Sequence, residues 1–230
     1  TMAQQRVDLV IFDCDGVLID SEILSAQTLI GLLADLGITI DLDHVQKYFL
    51  GRSFPTVAAL IREQFSTVLP QSFEQTYRSE LLARFEVGLL PTPGIERVLS
   101  ELAIPACVAT SSSPERANKS LQISGLARYF DQKIYTASLV ARGKPAPDLF
   151  LHVAKSEGVL PQNCLVIEDS QPGLEAARAA GMIVWHYRGA SHLKSTQPAA
   201  FKARDAHVQF DSWDGFFHLM PALKRAEIQR

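Results

Sequence analysis

The sequence predicts an α/β fold, a doubly wound (Rossmann-like) parallel sheet carrying an inserted all-helical segment, and two observations predict it. Short, near-continuous apolar runs alternate with amphipathic helical patterns along most of the chain, as expected of βαβ units whose sheet is covered on both faces. Between Asp20 and Leu90 that alternation stops, and helical periodicity continues without any convincing strand.

Taken in order, the first run is Val7 to Phe12, rich in β-branched and apolar residues, and it reads as a strand buried on both faces. Helical spacing follows over Ile23–Leu36, Val57–Phe65 and Phe73–Phe85, with start or breaker signals at Asp41, Asp43 and Pro70. Pro91-Thr92-Pro93-Gly94 is turn-rich and marks the return to the main domain. Strand-like runs then recur at Pro105–Thr110, Cys164–Ile167 and Met182–Tyr187, with weaker ones at Lys133–Tyr135 and His207–Phe210. Helical patterns at Pro93–Leu102, Pro114–Ser124, Asp148–Glu157 and Gly173–Ala180 are interleaved with them. The expected division is a catalytic core from residues 1–19 and 91–230 and a helical cap from residues 20–90.

Composition narrows the function classes. At 230 residues, 47% hydrophobic and 20% charged, the chain can bury a sizeable core. A net charge of −3 and the lack of Lys/Arg runs argue against nucleic acid as a partner. No apolar stretch reaches the roughly 18–20 residues that span a bilayer. The N-terminus lacks a signal peptide's layout, and Thr1 ahead of Met2 reads as an expression remnant. Cys14, Cys107 and Cys164 are odd in number and lie in or beside apolar runs, as reduced thiols packed as small hydrophobes do. The expected setting is cytoplasmic; nothing in the sequence speaks to oligomeric state.

Open parallel sheets bind ligands outside the carboxyl ends of their strands. Past the first strand stand Asp13 and Asp15, and past the second Ser111, Ser112 and Ser113; Lys144 precedes a helix, and Glu168-Asp169-Ser170 ends another strand. Asp13 and Asp15, two apart on extended chain, are expected to project to one side. Asp13, Asp169, Glu168 and a nearby backbone carbonyl offer the oxygen ligands that Mg²⁺ prefers. Lys144 and the Ser111 hydroxyl can neutralise and hydrogen-bond a phosphoryl group. An aspartate nucleophile would form an aspartyl-phosphate, with a second carboxyl serving first as acid and then as base. Each feature has a plainer reading when taken singly: a turn at Asp13-Cys14-Asp15-Gly16, a helix cap at the serines, a solvated loop at Lys144, a helix start at Glu168-Asp169. Ser112 and Arg52, the latter in Gly51-Arg52-Ser53 of the helical insert, are candidate substrate-binding residues. No histidines have metal-ligand spacing, and none is assigned to the site.

Asp13-Cys14-Asp15-Gly16-Val17-Leu18-Ile19-Asp20-Ser21-Glu22, Ser111, Lys144, and Glu168-Asp169 with Ser170-Gln171-Pro172-Gly173 resemble, in order, the four motifs of the haloacid dehalogenase (HAD) superfamily. The helical insert after the first motif is similar to that of its phosphatases and β-phosphoglucomutases. The resemblance implies Asp13 as nucleophile and Asp15 as general acid/base. It also implies Mg²⁺ held by Asp13, the Asp15 carbonyl, Asp169 and Glu168, and a small phosphorylated metabolite, a sugar or sugar-acid phosphate, as substrate. Dehalogenases of the superfamily lack an acid at the position of Asp15. Mutases carry a histidine where this chain has Ser25, and their cap arginine aligns with Phe54, so hydrolysis is favoured over a β-phosphoglucomutase-like transfer. A phospho-acceptor signalling domain would use similar residues, but at about half this length and without an insert.

Overall fold

The computed structural model describes residues 5–194 and 205–227. Six strands, β1 (Leu9–Phe12), β2 (Ala106–Thr110), β3 (Ile134–Thr136), β4 (Cys164–Glu168), β5 (Ile183–Tyr187) and β6 (Val208–Phe210), form one parallel sheet in the order β3-β2-β1-β4-β5-β6. The connections run outward in both directions from β1, so the sheet has its switch point there, beside the end that carries Asp13.

The alternation of side chains divides the core. Val10 and Phe12 of β1, with Val108, Leu165, Ile167 and Trp185, pack on one face, against α5 (Ile95–Glu101) and α6 (Pro114–Ile123). Leu9 and Ile11, with Cys107, Ala109, Val166 and Val184, pack on the other, against α7 (Asp148–Glu157) and α8 (Gln171–Ala179). Both faces are covered, which is why the strands read as unbroken apolar runs. The caps of the two helices nearest the site are set by their sequences. Ser113 accepts from the Arg116 amide and Ser170 from the Gly173 amide, with Pro114 and Pro172 in the first turns.

The break in alternation is four helices: α1 (Glu22–Asp35), α2 (Leu42–Tyr48), α3 (Phe54–Phe65) and α4 (Phe73–Gly88). Periodicity alone does not reveal α2, which is only 7 residues long; its start signal, Asp41, caps it by accepting from the His44 amide at 2.8 Å. The chain leaves and re-enters the sheet side by side, with the Asp20 amide on the Leu90 carbonyl (2.9 Å) and the Thr92 amide on that of Leu18 (2.9 Å). The apolar residues of these helices, Leu33, Ile61, Leu81 and Phe85 among them, are continuous with the core on the Phe12 face.

That face is closed by α9 (Phe216–Leu219) and the turn before it. Trp213 is buried there, stacked on Tyr187 with ring centroids 4.6 Å apart, and its indole N–H donates to Thr92 Oγ1 at 2.9 Å. Thr92 in turn donates to the Val17 carbonyl at 2.6 Å, so Trp213 braces the junction through which the helical segment is attached. Trp213→Ala removes a filled core position and a buried donor, and is expected to lower stability by about 3–5 kcal/mol in urea denaturation.

Candidate active site

Register places the site. Phe12 lies opposite Ile167, and the Asp13 amide donates to the Ile167 carbonyl at 3.0 Å, so Asp13 and Glu168 emerge together from adjacent strand ends. Lys144 reaches between them. Its ammonium lies 3.0 Å from Asp13 Oδ1, 2.5 Å from Glu168 Oε1 and 3.0 Å from the Ala109 carbonyl, and the residue is only 5% exposed. The plainer reading of Lys144 as a solvated loop lysine therefore fails: all three ammonium protons have acceptors. Burial opposes its charge, but Asp13 and Glu168 outweigh that and hold it protonated, above its ordinary pKa.

The remaining acids carry the cost of desolvation. Burial, with Asp13 alongside, raises Glu168 to about 7 against the pull of Lys144. Burial and the neighbouring charges of Asp13 and Glu168 raise Asp169 well above its usual range. Gly173 is required beneath this cluster, since a Cβ there would lie 2.0 Å from the Glu168 carboxyl carbon.

Asp15 stands beside Asp13 with partners of its own. The strand ends at Phe12, and the Cys14 carbonyl accepts from the amides of Val17, Leu18 and Ile19. The turn that begins at Cys14 follows Asp13, and Asp13 and Asp15 line the same pocket, on one side as the sequence reading expects. Asp13 faces Lys144, whereas Asp15 accepts from Ser21 Oγ (2.7 Å), Ser112 Oγ (2.6 Å) and Arg116 Nη2 (2.9 Å). Burial pushes the Asp15 carboxyl up, but Arg116 and the two hydroxyls outweigh it and hold the group below its usual pKa. Cys14, between the two acids, is fully buried in the core.

The serine run divides its duties. Ser113 caps α6, Ser112 holds Asp15, and Ser111 Oγ donates to the Gly51 carbonyl at 3.0 Å. Gly51 belongs to the turn between α2 and α3, and it presses so closely on the core that a Cβ would lie 2.1 Å from Ser170 Oγ; its φ of +77° suits glycine as well. Arg52, next to it, lines the same pocket and makes no side-chain hydrogen bond or ion pair among the described residues.

That pocket holds about 870 Å³ of space, part of it open to solvent, between the strand ends and the helical segment. Several of its residues escaped the sequence reading. Arg116 lies on α6, Tyr77 on α4 and Glu22 on α1. Burial and the charges of Asp15 and Asp169 raise Glu22 to about 8. Ser25 and Tyr77 share a 2.7 Å hydrogen bond, and Phe54 stacks on Tyr77 with centroids 5.4 Å apart, so both positions where mutases differ form pocket wall. A histidine does reach the site, contrary to the sequence reading. His192 Nε2 is 2.8 Å from Asp169 Oδ2, and its carbonyl accepts from Gln46 of α2 at 2.6 Å.

Asp13, Glu168 and Asp169 offer carboxylate oxygens all within 4.8 Å of one another, buried, with a single lysine to offset them. An all-oxygen donor set in an acid-rich, desolvated pocket fits a hard divalent cation such as Mg²⁺.

Fold and site together define a doubly wound α/β enzyme with its acidic centre at the sheet's switch point. The family model for haloacid dehalogenase-like hydrolases matches residues 7–181. The chain is 30% identical to the 6-phosphogluconate phosphatase of Escherichia coli over 190 residues, 82% of this chain and 86% of that one. It is 33% identical to the fructose-1-phosphate phosphatase of the same organism over 179 residues, 77% and 95% of the two chains. Among solved structures, a conserved haloacid dehalogenase-like protein from Agrobacterium tumefaciens superposes with a TM-score of 0.79 at 35% identity, covering 94% of this chain and 98% of that one. The chain belongs to the haloacid dehalogenase-like hydrolases, and it is a phosphoric monoester hydrolase. No helix among the described residues is long and apolar enough to cross a membrane.

Removing the lysine leaves Asp13 and Glu168 facing each other without a counter-charge. Lys144→Met is expected to lower stability by about 3–5 kcal/mol at pH 8, read by urea denaturation in EDTA.

Proposed function

We propose that the chain is a Mg²⁺-dependent phosphatase of a small phosphorylated metabolite, a sugar or sugar-acid phosphate, acting through an aspartyl-phosphate on Asp13. The reading rests on one observation, the Asp13 carboxylate at the end of β1 fixed by Lys144 between buried acids and open to the pocket. The names of the two relatives, phosphatases of 6-phosphogluconate and of fructose 1-phosphate, support the substrate class. Residues 20–90 serve as a cap over a catalytic core formed by residues 1–19 and 91–230. The three cysteines, buried and unpaired, favour a reducing, cytoplasmic setting.

Asp13 attacks phosphorus while Lys144, its three protons already taken, orients that carboxylate and offsets charge at the site, and Ser111 donates to a phosphoryl oxygen. Asp15, ionised beside Arg116, first takes up a proton from solvent, gives it to the departing alcohol oxygen, and then takes one from the water that hydrolyses the acyl phosphate. Its hydrogen bonds to Ser21 and Ser112 fix the carboxyl for both transfers. Asp13, the Asp15 carbonyl, Glu168 and Asp169 would hold Mg²⁺, which when bound neutralises charge on the transferring phosphoryl group. Ser112 reaches substrate only through Asp15, and Arg52 offers a free cation from the cap turn.

Two variants test the assignment with p-nitrophenyl phosphate and with metabolite esters. Asp13→Asn is expected to abolish phosphate release while the circular dichroism spectrum is retained; near-normal turnover removes the nucleophile. Asp15→Asn is expected to lower kcat by about 10²–10⁴-fold on esters with poor leaving groups. A change confined to metal affinity contradicts its acid/base role. Activity of the unaltered protein is expected to vanish in EDTA and return with Mg²⁺, a direct assay for the metal.

A further inference from the structure

Arg116 is expensive to keep where it is. Its side chain is 14% exposed, and it occupies the first turn of α6, where the helix dipole disfavours a cation. Only one of its contacts is a full-strength hydrogen bond, the 2.9 Å contact to Asp15. Those to Tyr77 OH and Ser25 Oγ are 3.4 and 3.5 Å, beyond the usual N–H···O range, and Nε is buried with no hydrogen-bond partner. A buried donor left unsatisfied costs more than a bond gains, so the ion pair with Asp15 accounts for one edge of the guanidinium and leaves the other without a partner that explains it.

The guanidinium is nevertheless held firmly in place. Phe85 of α4 lies beneath it, 5.8 Å from ring centroid to Cζ, and Tyr77 flanks it. Its location follows from the proposed function, on which this inference rests. Asp15 serves the alcohol oxygen of the ester, so a group touching Asp15 borders the alcohol part of the substrate, not the phosphate. Arg52 faces the same pocket from the α2–α3 turn, whereas Arg78, the third arginine there, already pairs with Glu74 and Glu115. Two arginines with spare donors therefore border the region of the leaving group.

We propose that Arg116 is a specificity-determining residue that binds a carboxylate on the alcohol part of the substrate, so that the preferred esters are phosphorylated sugar acids over neutral sugar or polyol phosphates. Asp15 occupies one edge of the guanidinium, and the substrate carboxylate takes donors of the edge that is poorly satisfied, with Tyr77 OH and Arg52 alongside. A planar fork suits this better than an ammonium, since it can serve two carboxylates at once.

A matched pair of esters isolates the role. 6-Phosphogluconate and glucitol 6-phosphate share the scissile bond and leaving alcohol and differ at the far carbon, so any effect exerted through Asp15 falls on both equally. The unaltered enzyme is expected to favour the acid in kcat/KM. In Arg116→Gln that preference collapses, kcat/KM for the acid falling about 10–100-fold further than for the polyol, chiefly through KM. Arg116→Lys, which keeps the charge without the fork, is expected to retain part of the preference, and it serves as the second variant should the glutamine protein melt early. An equal loss on both esters makes Arg116 a positioning residue for Asp15 and overturns the proposal. So does an unaltered enzyme that hydrolyses both esters equally well while turning over p-nitrophenyl phosphate. Absence of Mg²⁺-dependent phosphate release from any of the three esters instead overturns the hydrolytic reading on which the assignment rests.

Discussion

The site is organised by one buried ion cluster, the Lys144 ammonium held by Asp13, Glu168 and the Ala109 carbonyl. Three carboxyls converge where two parallel strands end in register, and without a cation among them they could not share so small and dry a volume. The lysine arrives from a loop far along the chain, 131 residues beyond Asp13. Its placement therefore depends on the completed sheet: β1 between β2 and β4, with α7 and α8 packed behind them. The same constraint fixes the neighbouring backbone, because Gly173 must leave room for Glu168.

Around that centre the helical segment supplies the facing wall of the pocket. Its residues meet the core at a few specific points: Gly51 against Ser111 and Ser170, Gln46 against the backbone of His192, Tyr77 against Arg116. The contacts join different helices to different strand ends. A shift of the segment therefore reaches several groups of the site together, including Asp169 through His192.

Much of the fold was legible in the sequence because strands buried on both faces leave an unmistakable trace. Val7–Phe12 and Met182–Tyr187 read as runs with no polar alternation and lie at β1 and β5. Helix α2 was not legible as an element, being too short for periodicity to register, although Asp41 marked its start. The acids and Lys144 could be found as a set because each stands at a strand end or beside a helix start, where sequence and topology coincide. Arg116, Tyr77 and His192 could not. Arg116 lies 101 residues from its partner Asp15 and follows a helix cap, in a pattern that any solvent-facing arginine would satisfy. The expected common direction of Asp13 and Asp15 matches their place on one pocket wall with Cys14 buried between them, and the chain turns only after Cys14, whose carbonyl gathers three amides.

The contact between Ser111 and Gly51 has a thermodynamic corollary. A serine hydroxyl has one proton to give, and here it is given to the Gly51 carbonyl in the turn between α2 and α3. In the proposed reaction the phosphoryl group requires that same proton, so the two acceptors are rivals. Linkage then applies in both directions: whatever strengthens the turn's hold on Ser111 weakens phosphate binding by the same factor, and bound phosphate loosens the turn to an equal degree. Inorganic phosphate, released last from Asp13 in this reaction, would on this account loosen the contact that joins the helical segment to Ser111.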